Sequence, residues 1–178
     1  MALVFQYGSN MNSARLNSRR RLRGDAHSIG IAITEEKYEL LFDLWSQKGN
    51  CAAADLVEGD GRRIWGVIYE IPDHLIKRST SHARKSLDAI EGEGSNYKRV
   101  NIKLRWRNGR LVTKPVITYL GIARKIGIQT TRKYVSHLLK GLSDHSIPAG
   151  YAAYVKAQIH RNNPRLLSII TRKRRSST

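Results

Sequence analysis

The sequence predicts an α+β domain, and three observations carry the prediction. Between Val4 and Ile71, apolar and β-branched residues alternate imperfectly with polar ones in short runs, the period of strands. Asn108-Gly109, the dipeptide best suited to the positive backbone angles of a two-residue hairpin turn, separates two further runs of this kind. Beyond Thr130 the apolar spacing changes to that of amphipathic helices.

Each element has a local reason. Val4-Phe5-Gln6-Tyr7 is a short run that breaks into Gly8-Ser9-Asn10, so a strand enters a turn. Glycine there takes conformations closed to other residues and lets a ligand approach the main chain. Met11 to about Arg23 is polar, with Met11, Leu16 and Leu22 unevenly spaced, and is expected as a short, exposed and mobile helix or helical turn. Ala26 to Thr34 and Tyr38 to Ser46 read as neighbouring strands joined by Glu35-Glu36-Lys37, and Cys51 to Val57 as a third. Glu58-Gly59-Asp60-Gly61 is a turn by composition, and Ile64 to Ile71, apolar on both faces, is expected to be central. Pro72 ends it. Asp73 to Ile90 fits a helix broken near Ser79-Thr80-Ser81, with Glu91 at its C-terminal end. Tyr97 to Trp106 and Leu111 to Leu120 form the hairpin around Asn108-Gly109. Thr130 or Thr131 caps a helix through about Leu142, and Pro148 opens a last one with Tyr151, Tyr154, Val155 and Ile159 on one stripe.

Composition narrows the function classes. A chain of 178 residues suits one domain, here expected over 1–160 with a basic tail over 161–178, and it carries no internal repeat. No apolar run approaches the roughly 18 residues needed to span a bilayer, and Ser9 and Asn10 interrupt the run a secretory signal would need, so cytoplasmic residence is expected. Cys51 is the sole cysteine, which excludes an intrachain disulfide and a cysteine-based zinc cluster. The six histidines show no ligand spacing, and no metal is expected. Formal charge is +18. Arg19 to Arg23 and Arg172 to Arg175 could contact nucleic acid or another polyanion nonspecifically, although a solvated basic surface with a loose tail is the preferred reading.

A strand followed by Gly-Ser-Asn is, by itself, more often an ordinary turn than a site. A second segment, Leu87-Asp88-Ala89-Ile90-Glu91-Gly92, places a carboxylate at a helix end before a glycine-containing loop, with Tyr97 and Arg99 in the strand beyond. Trp65-Gly66-Val67-Ile68-Tyr69-Glu70 lies between the two. In this order, over about residues 3 to 155, the three motifs resemble those of the gamma-glutamylcyclotransferase-like family, which includes AIG2-like and ChaC-type members. The fold this resemblance implies is a mixed, mostly antiparallel sheet curled into a small barrel with flanking helices.

The resemblance also implies a reaction without a cofactor. The α-amino group of a γ-glutamyl compound attacks its own side-chain amide carbonyl, giving 5-oxoproline and a free amine. One carboxylate can remove a proton from the substrate ammonium and later deliver one to the leaving nitrogen, best when partial burial raises its pKa. The resemblance gives this role to Glu91, and substrate binding to Val4, Phe5, Gln6, Tyr7, Gly8, Ser9, Asn10 and Tyr134. Gln6 departs from the small residue common there and alters the pocket. Glu93 competes with Glu91, but Glu91 stands six residues before Tyr97, at the family's spacing. Asp88 either orients Glu91 or faces solvent. Tyr7 is a substrate contact or a core aromatic, Tyr97 and the three tryptophans are expected in the core, and Ser9 reads as a hydrogen-bonding residue rather than a nucleophile.

Overall fold

The structure is a computed structural model that describes residues 1–78, 85–166 and 168. In chain order its elements are β1 (Ala2–Gln6), α1 (Ser13–Leu16), β2 (His27–Thr34), β3 (Tyr38–Ser46), β4 (Cys51–Glu58), β5 (Trp65–Ile71), α2 (Leu87–Glu91), β6 (Tyr97–Asn101), β7 (Leu104–Trp106), β8 (Val116–Gly121), α3 (Arg132–Asp144) and α4 (Ala149–Asn162). Six strands form one sheet in the order β6-β8-β1-β5-β2-β7, antiparallel except for the β1–β8 pair, and β3 and β4 form a separate antiparallel ribbon. The α+β class and the mostly antiparallel sheet agree with expectation. The sheet is open, with β6 and β7 at its edges, so the closed barrel is not found.

The strand expected to be central is central: β5 lies between β1 and β2, and Val67, Ile68, Tyr69 and Ile71 are buried. Consecutive β2 and β3, in contrast, are not neighbours. β2 pairs with β5 and β7, while β3 pairs with β4. The buried Thr34 hydroxyl explains the parting, because it donates to the Glu36 carbonyl at 2.7 Å and accepts from the Ile64 amide at 2.9 Å, which bends the chain out of the sheet. Tyr38, Leu40, Phe42 and Leu44 then bury one face of the ribbon.

The hairpin is real at its tip, where Gly109 has φ +84° and its amide donates to the Trp106 carbonyl. Its long arms divide, however. β6 pairs with β8, and β7 leaves to join the edge of β2. Pro115, which has no N–H to continue a ladder, stands immediately before β8.

Two helical expectations change more. Asp73 to Ile90 is not one helix: a single 3-10 turn covers Asp73–Leu75 and α2 begins at Leu87, while the proposed break at Ser79 to Ser81 lies outside the described residues. Ser86 caps α2 by accepting from the Ala89 amide, and Gly92, at φ +78°, ends it in the left-handed conformation that glycine adopts without strain. The segment from Met11 to Arg23 is not wholly exposed, because Met11, Leu16 and Leu22 are fully buried. Each contributes about 1.5–3 kcal/mol by leaving water. Gly141 of α3 lets that helix approach, since a Cβ there would lie 2.7 Å from the Met11 Cβ.

Thr131, rather than Thr130, caps α3, and Tyr151, Val155 and Ile159 bury one stripe of α4. Packing continues past residue 160, where the buried Asn163 side chain donates to the Thr130 carbonyl at 2.8 Å. The tail cluster Arg172 to Arg175 lies outside the described residues. Among the described residues no helix is long and apolar enough to cross a membrane.

Candidate active site

β1 delivers its C-terminal end to a cavity of about 240 Å³, and α2 brings its last residue to the same place. Gln6, Tyr7, Gly8, Ser9, Asn10 and Glu91 all line it. Tyr134, from the first turn of α3, closes another wall. Val4 and Phe5 do not line it: both are fully buried in β1, and the Phe5 carbonyl accepts from the hydroxyl of Thr118, which does reach the cavity.

Glu91 meets the opening motif directly. The Asn10 side-chain amide donates to Glu91 Oε1 at 2.7 Å, and the Gln6 amide donates to the same oxygen at 3.3 Å. Gln6 therefore serves the carboxylate as a donor, which the small residue common at this position could not do. Arg21 donates to Asn10 Oδ1 at 2.9 Å, fixing which way the Asn10 amide points. Glu93 is not among the lining residues, and its amide donates to the Asp88 carbonyl.

The turn is shaped by space rather than by an unusual backbone angle. Gly8 has φ −103° and ψ −151°, a conformation open to other residues, contrary to the expectation from glycine's freedom. What a side chain would lose is room, because a Cβ would lie 3.2 Å from the Tyr134 hydroxyl and 3.6 Å from the Ala54 Cβ. The Tyr134 hydroxyl accepts from the Ala54 amide at 2.9 Å, which ties α3 to β4 beside the turn.

Asp88 does not face solvent, and its side-chain hydrogen bonds go to β6 and β8. It is buried, 4% exposed, and accepts from Arg99 at 2.7 and 2.6 Å and from the Tyr119 hydroxyl at 2.7 Å. This anchor secures α2 to β6 and β8 one turn before Glu91. The Arg99 of the sequence motif thus has its physical reason as the partner of Asp88.

Tyrosines supply much of the remaining wall. The Tyr7 hydroxyl donates to the Tyr119 carbonyl at 2.6 Å, and the Tyr97 hydroxyl donates to the Ala54 carbonyl at 2.9 Å; Tyr97, partly buried, both packs against the core as expected and lines the cavity. Burial, then the charges of Asp55 and Glu91, push the Tyr7 phenol well above its usual range. Burial, then the Tyr7 and Tyr134 phenols, do the same to Tyr97. Burial raises Tyr134 as well. These groups stay protonated at neutral pH and act as hydrogen-bonding walls. Glu91 is the one carboxylate among the described lining residues.

Several lining residues were not singled out from sequence. Arg15, Lys48, Thr118 and Tyr119 carry no local signal, while Arg21 was hidden inside a basic run read as surface. Trp45 also lines the cavity, and Trp65 and Trp106 are half-buried against the core, so none of the tryptophans is fully interior. No cluster of metal-ligating side chains occurs among the described residues.

A family model described as gamma-glutamyl cyclotransferase, AIG2-like, matches residues 4–136. The chain belongs to this gamma-glutamyl cyclotransferase, AIG2-like family. Both the Gly8 turn and Glu91 fall inside the matched span, as does Tyr134. Solved structures extend the likeness at the level of fold. One named gamma-glutamyl cyclotransferase is 22% identical, with a TM-score of 0.73 over 88% of this chain and 86% of its own. An uncharacterized protein from Homo sapiens is 22% identical, with a TM-score of 0.75 over 96% and 98%. YkqA from Bacillus subtilis is 24% identical, with a TM-score of 0.71 over 89% of this chain and 54% of its own. No curated protein matches this cyclotransferase-family sequence.

Proposed function

We propose that this protein is a gamma-glutamyl cyclotransferase that releases 5-oxoproline from a γ-glutamyl amide, with Glu91 as general acid and base. The observation that carries the reading is the meeting of Glu91 with the Asn10 amide, 2.7 Å apart, in a cavity lined by the Gly8 turn. Family membership supplies the reaction class.

This reading gives each cavity residue a step. Glu91 takes a proton from the substrate α-ammonium, and the freed amine attacks the γ-carbonyl carbon. A C–N bond forms, the carbonyl oxygen becomes an oxyanion, and the Gly8 and Asn10 amides offer hydrogen bonds to that oxygen or to the substrate carboxylate. Fixed donors of this kind contribute roughly 3 to 4 kcal/mol each where one has been removed from other enzymes. Glu91 returns the proton to the leaving nitrogen as its bond to carbon breaks. It then accepts the second proton from the ring nitrogen, which is cationic after the attack, and passes it to the released amine. A neutral lactam and a free ammonium form, and the carboxylate is regenerated. Donation from Asn10 and Gln6 to a single oxygen, Oε1, orients the carboxylate for both transfers. The tyrosine walls exclude water and hold the γ-glutamyl chain folded, with amine and carbonyl within about 3.5 Å.

Incubation with γ-glutamyl amino acids, γ-glutamyl amines and glutathione tests the reading. Release of 5-oxoproline and the free amine in equal amounts is expected from at least one of these classes. Failure of all of them to react with folded protein would reject the activity.

A further inference from the structure

One carboxylate lies deep in the protein without a part in the reaction described above. Asp55 of β4 has no exposed surface, and three donors meet it. Oδ1 accepts from the Leu56 amide at 2.7 Å and the Gly121 amide at 2.6 Å, and Oδ2 accepts from Arg124 Nε at 2.9 Å. Gly121, at the end of β8, makes room for it, because a Cβ there would lie 2.5 Å from Asp55 Oδ2. Asp43 of β3 approaches the same guanidinium at 3.7 Å. A buried ion pair is a weak source of stability, since apolar residues of similar volume often replace one without loss, and the geometry it fixes is the better account of its presence.

The neighbour of Asp55 shows what that geometry serves. Successive side chains of a strand point to opposite faces, and here Ala54 lines the cavity while Asp55 reaches β8. The Ala54 amide donates to the Tyr134 hydroxyl, and its carbonyl accepts from the Tyr97 hydroxyl, both at 2.9 Å. One residue of β4 thus holds two phenols that arrive from α3 and β6, and both line the cavity. β4 belongs to the separate ribbon and pairs with no strand of the six-stranded sheet. The Asp55 carboxylate bridges the two through its side chain, to Gly121 on β8 and to Arg124 beyond it.

We infer that Asp55 is a positioning residue of the active site, which holds β4 against β8 so that Ala54 sets the Tyr134 and Tyr97 hydroxyls on two walls of the cavity. Its effect on turnover rests on the proposed activity, whereas its effect on Ala54 does not. An asparagine at this position keeps an oxygen for the Leu56 and Gly121 amides but turns an N–H toward that of Arg124, so one bond is lost with little change in volume.

The test reads position before turnover. In full-length Asp55→Asn protein, hydrogen exchange at the Ala54 amide should quicken at least about 10-fold more than at the Val67 and Ile68 amides, equivalent to about 1.4 kcal/mol. Those two amides lie in central β5 and report global opening, so the comparison isolates the local effect. Asp43→Asn, which alters the more distant carboxylate on the same guanidinium, should leave this ratio within about 3-fold of the unsubstituted protein. In turnover, Asp55→Asn should lower kcat/KM by at least about 10-fold. Adding Tyr134→Phe should then lower it by less than Tyr134→Phe does alone, because both substitutions sever one link. Arg124→Gln, at an exposed position, should raise the Ala54 ratio by about 3- to 10-fold and serves if Asp55→Asn does not fold.

Exchange at Ala54 that is unchanged, or that quickens only in step with β5, would overturn the positioning role. Equal effects from Asp43→Asn, or full multiplication of the Asp55→Asn and Tyr134→Phe losses, would also overturn it. If the folded, unsubstituted protein releases no 5-oxoproline from any γ-glutamyl compound, the proposed activity fails, and exchange at Ala54 still decides whether Asp55 positions the wall.

Discussion

The side chains of Asn10 and Glu91 meet at 2.7 Å across 81 positions of chain, one in the turn that follows the first strand and the other at the end of a five-residue helix. A hydrogen bond to a charged group contributes about 1.5–3 kcal/mol. Asn10→Ala should therefore lower kcat by about 10- to 100-fold, as measured by steady-state release of 5-oxoproline, if the bond persists through the transition state. A change confined to KM would show that Asn10 binds substrate without holding the carboxylate for proton transfer.

Gly8→Ala should separate stability from activity. The backbone there suits alanine, so the melting temperature should move by no more than about 4 °C, near 1 kcal/mol. The added methyl would lie 3.2 Å from the Tyr134 hydroxyl and narrow the cavity. At least about a 10-fold loss in kcat/KM is expected, because small misplacements of a reacting group are costly. A variant with unimpaired kcat/KM would mean that substrate does not use this wall.

Asp88→Asn should act on the fold before it acts on chemistry. It removes the charge that faces Arg99, and breaking such a buried pair destabilises by about 3–5 kcal/mol. The part-exposed Arg99 moderates the loss, so about 2–4 kcal/mol is expected from urea unfolding. Stability equal to that of the unsubstituted protein would contradict an anchoring role for this cluster.

His145 gives the protein an acid-sensitive contact. Its Nε2 lies 3.2 Å from the Ser13 hydroxyl and 3.3 Å from that of Tyr69, and the Tyr69 hydroxyl donates to the Met11 carbonyl. Burial lowers the imidazole below its ordinary value, against the raising influence of the Met11 backbone and Asp144. The unfolded chain therefore takes up a proton before the folded one does. Stability should be level above about pH 7 and fall as pH drops through about 6.5, until the folded imidazole also protonates. His145→Gln should remove this part of the pH dependence in thermal melts, whereas an unchanged profile would assign it to other groups.

Much of this arrangement was legible because some residues act locally. Asn108-Gly109 specifies a turn whatever surrounds it, and Gly92 specifies where α2 stops. Glu91 was reachable because the motif order gave its register. Other features depend on distant partners that local pattern does not name. Thr34 diverts the chain through Glu36 and Ile64, which separates two strands that sequence adjacency joined. Met11, Leu16 and Leu22 look scattered along an irregular segment, yet all three are buried, Met11 against Gly141 of α3. Arg21 reads as one more arginine in a basic run until Asn10 gives it an acceptor. The Gly8 turn was found for a reason the structure replaces, since the limit there is the Tyr134 hydroxyl and not the backbone angle.

The most direct measurement compares 5-oxoproline release by Glu91→Gln and Glu93→Gln proteins under identical conditions, with circular dichroism showing that both are folded. Glu91→Gln should lose at least about 1000-fold in kcat, at the scale of general acid–base catalysis, while Glu93→Gln stays within about 3-fold of the unsubstituted protein. Undiminished release by Glu91→Gln would contradict the assignment of proton transfer to the carboxylate beside Asn10.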